Sequence, residues 1–253
     1  AGATETLPGS GRRPLSHIPS TGPVVSRTIR RFHMEPYDVI RAERADNGLV
    51  THVVATENGE RNIKYHDIRA GLSWPTGMAQ GYYCILGEEY KDFHRFDGGK
   101  RRGELRLLVE YEYNGISMND LFANLTDDTA MLECRSIYTN TGEAFQGQVE
   151  SYREFCNKTG ARTGNLTQAP YVDNFLLGIS WIQDRIKEGL LPIPETSVIY
   201  SQLKTITKAE LAEVPEEKFP AINGLRFVVG AFHKYRTMYP HFVPDRSAHR
   251  RRG

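Results

Sequence analysis

The sequence predicts an α/β fold: a mixed sheet flanked by helices, with a β-rich N-terminal extension. Three observations carry this. Strand-like segments come early, helical patterns come late, and the two alternate in the middle of the chain. The stretch GLVTHVVATENGERNIKYHDI (48–68) has two β-rich arms around an Asn-Gly pair, a strong hairpin signal. In FLLGISWIQDRIKE, Phe175, Leu176, Ile179, Ile182 and Ile186 recur at steps of three and four, the period of one helix face.

The elements follow in order. Residues 1–24 are rich in Gly, Pro, Ser, Thr and Arg and too poor in apolar side chains to order themselves, a disordered tail. Residues 25–78 read as a β-rich linker or appendage closed by a turn-rich connector, GLSWPTGMAQ (71–80). The main domain is placed at 79–240. GYYCILGEEYK (81–91) is its first buried strand, and KRRGELRLLVEYEYNG (100–115) holds the next, around Leu107, Leu108 and Val109. SMNDLFANLTDDTAML (117–132) is a helix that Ser117 can cap, with Asp120 three residues on. ECRSIYTNT (133–141) is a short strand, and EAFQGQVESYREFCNKTG (143–160) a helix stopped by its Gly. Helices follow over 169–191, ending near Gly189, then over 197–206, and over 219–236 with Pro220 in the first turn. Residues 241–253 form a basic tail.

Composition narrows the function. Of 253 residues, 32 are Lys or Arg and 31 Asp or Glu, so net charge names no polyanionic partner. The distribution is uneven, however. RTIRR (27–31), GGKRRGELR (98–106) and the terminal HRRRG are basic, as loops that track phosphates are and as solvated loops also are. The three cysteines, Cys84, Cys134 and Cys156, lack metal-site spacing and read as reduced thiols in a cytoplasmic setting. No apolar run has the length of a bilayer-spanning helix, so no membrane partner is expected.

No GxxxxGK[ST] phosphate loop, GxSxG elbow or dinucleotide fingerprint is present. Carboxylate chemistry remains. A two-metal nuclease gathers oxygen ligands from separate strands and a later helix, and the metals activate water and hold the leaving oxygen. Strand-end acids that could serve are Glu88, Glu89, Glu110 and Glu112; each could equally be the solvated end of a strand. Asp127 and Asp128 fall on the expected solvent face of a helix. A small-molecule pocket around Tyr82, Tyr83, Tyr111 and Tyr113 is a third possibility, against plain strand packing.

Five stretches in order add a family resemblance over about 72–236. GLSWPTGMAQGYYCILGEEY is similar to a first strand ending in Ile-Gly-x-Asp-x-Gly, and LLVEYEYNGISMNDLFANL to a strand, turn and helix. RSIYTNTGEAF resembles an Ile-Tyr-Ala-Asp strand, FLLGISWIQDRIKEGLLPI a Gly-Ile helix with its following Leu-x-Ile, and FPAINGLRFVVGAF a closing Asp-Ala-Leu-Arg-Tyr helix. Together they resemble the C-terminal nuclease domain of the large terminase subunit of tailed bacteriophages.

The resemblance implies an RNase H-like fold and a metal-dependent DNA endonuclease using Mg²⁺ or Mn²⁺ in genome packaging. It implies double-stranded DNA as partner, beside a separate packaging ATPase, a portal or a small terminase subunit, in the cytoplasm of a phage-infected or prophage-carrying bacterium. It puts Glu89 in the first metal-aspartate place, and Asn140 and Asn223 in the places of two further aspartates. Glu88, Asp92 and Glu110 stand nearby as substitutes. Asparagine offers a carbonyl oxygen without charge, a poor Mg²⁺ ligand. The expectation therefore divides between an endonuclease and a degenerate, non-catalytic RNase H-like module that binds DNA or a partner protein.

Overall fold

The computed structural model describes residues 39–76, 80–90, 103–113, 117–161, 164–207, 210 and 218–238, with side chains up to 233. The two expected tails, 1–24 and 241–253, and Asp92 lie outside the described residues.

Seven strands form one sheet: β1 (Val39–Arg44), β2 (Val50–Thr56), β3 (Gly59–Ser73), β4 (Gly81–Glu89), β5 (Leu105–Tyr113), β6 (Ser136–Thr139) and β7 (Asn165–Gln168). The helices are α1 (Met118–Met131), α2 (Gln146–Thr159), α3 (Phe175–Lys187), α4 (Val198–Thr205) and α5 (Pro220–Met238). Strands β1 to β5 follow one another as antiparallel neighbours. β6 then lies parallel to β3, and β7 parallel to β6. This mixed sheet flanked by helices is consistent with an RNase H-like architecture.

β3 organises the sheet. One of its edges takes β4. Its other edge is shared: residues 59–65 pair with β2, and residues 69–71 with β6. Burial follows this division. Exposed and buried residues alternate around Ile63 and Tyr65, where one face meets solvent, whereas Ile68 to Ser73 are buried without a break, as in a strand covered on both faces. The supposed connector at 71–80 therefore begins as strand, and the sheet runs across the boundary expected at residue 78.

β4 is buried along nearly its whole length and divides its side chains between two cores. Tyr83 and Ile85 join Leu72, Phe122, Leu125, Val149 and Tyr152 beneath α1 and α2. Tyr82, Cys84 and Leu86 join Ile179, Ile182, Ile199, Leu225 and Val229 beneath α3, α4 and α5. All four tyrosines of the supposed pocket are buried, which makes them packing residues. Burial also pushes the Cys134 thiol up to about 12 and the Cys84 thiol higher still.

Local signals explain the helix ends. Ser117 Oγ accepts from the Asp120 backbone amide at 3.2 Å, the expected cap of α1. α2 stops at Gly160, whose φ of +71° is left-handed. The apolar stripe of α3 is narrower than its period suggests: Phe175, Ile179 and Ile182 are buried, but Leu176 and Ile186 are exposed. α5 docks on β3 through glycine against glycine. A Cβ on Gly71 would stand 2.0 Å from the Gly224 carbonyl oxygen. Among the described residues, no helix is long and apolar enough to cross a membrane.

Candidate functional site

Ligand sites in open α/β sheets lie beyond the carboxyl ends of parallel strands. Here β3, β6 and β7 present such an edge. Register pairs Gly71 with Tyr138, which sets Asn140, just past β6, beside Ser73 at the end of β3. Asn223, on the first turns of α5, reaches down to this edge. Its Nδ2 donates to Ser73 Oγ at 3.0 Å, and its Oδ1 accepts from Arg226 Nε at 2.6 Å. Arg226 is 2 % exposed and also donates to the carbonyls of Val172 (2.9 Å) and Tyr171 (3.4 Å). Asn140 is held at both ends: its backbone oxygen accepts from Trp74 Nε1 at 2.9 Å, and its Oδ1 accepts from the Gly142 amide at 2.9 Å. The structure thus brings Asn140 and Asn223 to one edge, with Ser73 between them.

It does not bring Glu89 there. Glu89 pairs with Tyr65 and Ser73 with Tyr82, so the two lie at opposite ends of an antiparallel pair. Eight residues of strand put them on the order of 25 Å apart. Glu89 Oε2 instead accepts from Arg106 Nε at 3.1 Å. Glu88, 6 % exposed, accepts from the Gly103 amide at 3.1 Å.

Glu110 is fully buried on the α5 side. Its carboxylate accepts from Tyr82 Oη at 2.9 Å and from the Val198 amide at 3.0 Å, so it caps the first turn of α4 together with Ser197. Desolvation raises its pKa, against the lowering effect of those hydrogen bonds. Asp128 is likewise buried, accepting from Tyr83 Oη, where a solvated helix face was expected.

Of the strand acids considered, only Glu112 shares the edge. Ser73 faces Tyr82, and Tyr82 faces Glu112, so all three project to one side of the sheet. Two strand spacings separate Ser73 from Glu112 by about 10 Å.

These residues do not fit a pair of divalent metals. The donors nearest one another are a hydroxyl and two amides, each already hydrogen-bonded, with a buried guanidinium beside them. Mg²⁺ is held chiefly by carboxylates and water. Among the described residues, no group of three His, Cys, Asp or Glu side chains converges.

Ser73 and Arg226 do not stand out in the sequence, although a signal for Ser73 exists. The Ile-Gly-x-Asp spacing lies over Ala70-Gly71-Leu72-Ser73 as naturally as over the LGEEY of β4. Glu89 stands out because it is an acid and Ser73 is not.

No protein-family model matches the chain, and no curated protein does. Among solved structures, the large terminase nuclease of thermophilic phage G20c, with bound zinc, is similar at 13% identity and a TM-score of 0.42, over 78% of this chain and 92% of that one. The same nuclease with bound magnesium gives 13% and 0.38, over 65% and 73%. Thermus thermophilus RuvC gives 12% and 0.39, over 67% and 96%.

Proposed function

We propose that this chain is a non-cleaving RNase H-like module, of the terminase and RuvC kind, that binds DNA within a genome-packaging complex. The observation that carries the non-cleaving part is the hydrogen bond between Asn223 and Ser73. It joins two neutral groups at the sheet edge where a metal nuclease would gather carboxylates. The DNA-binding part is supported by the order of the five family-like stretches and by basic stretches such as GGKRRGELR. Double-stranded DNA is the partner on this reading, beside a packaging ATPase, portal or small terminase subunit.

The test is incubation of the protein with supercoiled plasmid in Mg²⁺ and in Mn²⁺, alongside a salt-dependent DNA-binding titration. Binding that weakens with salt, without nicking, is expected. Nicking that needs Mn²⁺ and disappears in Asn140→Ala or Asn223→Ala would restore the endonuclease reading.

A further inference from the structure

Strand β1 forms one border of the sheet. It pairs with β2, and among the described residues no strand lies on its other side. The amides and carbonyls along such a side form a row that a further strand can pair with. Edges are commonly blunted by charges and irregularities, and β1 has both. Its register with β2 shifts between Val39 and Arg41, and the side chains of Arg41 and Glu43 stand 56% and 69% exposed. It also carries Ile40, a large apolar residue left 51% exposed.

These charges do not repel every strand. They are of opposite sign and stand two residues apart on one face, with Arg41 Nε donating to Glu43 Oε1 at 3.0 Å. An antiparallel ladder opposes residues of the same face. A second copy of β1 laid against the first is therefore related to it by a two-fold axis through one residue. An axis at Arg41 sets Arg against Arg, and an axis at Glu43 sets Glu against Glu. Like charges directly opposite are unfavourable. An axis at Ala42 instead sets Arg41 of each copy opposite Glu43 of the other. It also sets a small residue against itself at the centre and brings Ile40 opposite Arg44, so the exposed apolar side chain gains a neighbour. The pattern of charge selects one register and disfavours those beside it.

We infer that β1 is the docking surface for a second copy of this chain, paired antiparallel about Ala42 so that two sheets run into one. The interface is isologous: the same patch serves both copies. The contact is short, of the size of transient associations, so dimerisation depends on protein concentration. None of its residues belongs to the cluster of Ser73, Asn140 and Asn223, and the inference holds whether or not the chain binds DNA.

The experiment is sedimentation velocity on the full chain over a concentration series, at low ionic strength where charge pairs are least screened. The parent should pass from monomer to dimer. Arg41→Glu makes this face of the strand acidic and Glu43→Arg makes it basic, so each variant should self-associate about ten-fold more weakly. Both positions are exposed, and each variant should melt with the parent. Mixed in equal amounts, with one of them fluorescently labelled, the two variants oppose unlike charges at both places. The mixture should form a heterodimer as readily as the parent forms its dimer. A parent that stays monomeric throughout overturns the inference, whether the edge is open or covered by another stretch of this chain. Undiminished self-association of either variant overturns it by placing the interface elsewhere. Loss of self-association in both variants without recovery in the mixture also overturns it, since the two charges then do not face one another across the copies.

Discussion

At the scale of single residues, Glu110 shows how a buried acid can mimic a catalytic one. It sits in an apolar core, its pKa is raised by desolvation, and it draws partners from β4 and α4. Such groups are often functional, but each oxygen here serves a structural donor. The sign of its pH effect follows. Because the folded protein holds this proton more tightly than the unfolded chain does, stability contributed by Glu110 is present below its unfolded pKa, about 4.3, and is lost as pH rises through the raised folded value. Denaturation midpoints across this range should fall more steeply in the parent than in Glu110→Gln. Glu110→Ala leaves the Tyr82 hydroxyl and the Val198 amide without their acceptor and should cost about 2–3 kcal/mol by urea denaturation. Glu89, by contrast, is a half-buried strand-end partner of Arg106. Glu89→Ala should cost no more than about 1 kcal/mol and leave nucleic-acid binding unchanged in the same DNA-binding titration.

At the scale of elements, the docking of α5 on β3 sets the geometry of the edge. Gly71 and Gly224 bring the helix backbone against the strand, and Asn223, next in sequence, is thereby held over Ser73. Gly71→Ala would drive a methyl into a backbone carbonyl, which no rotamer change can relieve. It should cost about 3 kcal/mol or more, read as a lowered melting midpoint, while Ser73→Ala, which only breaks the bond to Asn223, should cost about 1 kcal/mol.

Most elements were legible in the sequence because local chemistry dictates them: the Asn58-Gly59 turn, the Ser117 cap, the Gly160 stop, the period of α3. The end of β3 was not. Its residues are buried on both faces, so they show no alternation, and the following Trp-Pro-Thr-Gly reads as a turn. Reading these residues as a connector put the start of the main domain after β3, at 79, and left β4 (81–89), with Glu89 at its tip, as its first strand. The cluster of Ser73, Asn140 and Asn223 arises from parallel pairing between strands distant in sequence, which local patterning cannot show.

At the scale of the whole molecule, the features that resemble a nuclease fall at two ends of one sheet. The acids Glu88 and Glu89 lie at one end and are engaged by Gly103 and Arg106; the other end holds neutral donors. Adding EDTA, Mg²⁺ or Mn²⁺ should therefore leave the melting temperature of the parent unchanged. The triple variant Ser73→Asp, Asn140→Asp, Asn223→Asp gathers three carboxylates at one edge and should gain a Mn²⁺-dependent rise in melting temperature. Absence of that rise would mean the three positions do not converge as described.

The shared edge of β3 makes that strand a single rod. One half is clasped by the outer hairpin, the other by the strand that carries the cluster. A deletion of one residue between Lys64 and Ile68 would leave the hairpin folded but turn Ser73 to the opposite side of the sheet, away from Asn223. The outer hairpin, which carries none of the cluster residues, is the gauge against which their positions are set.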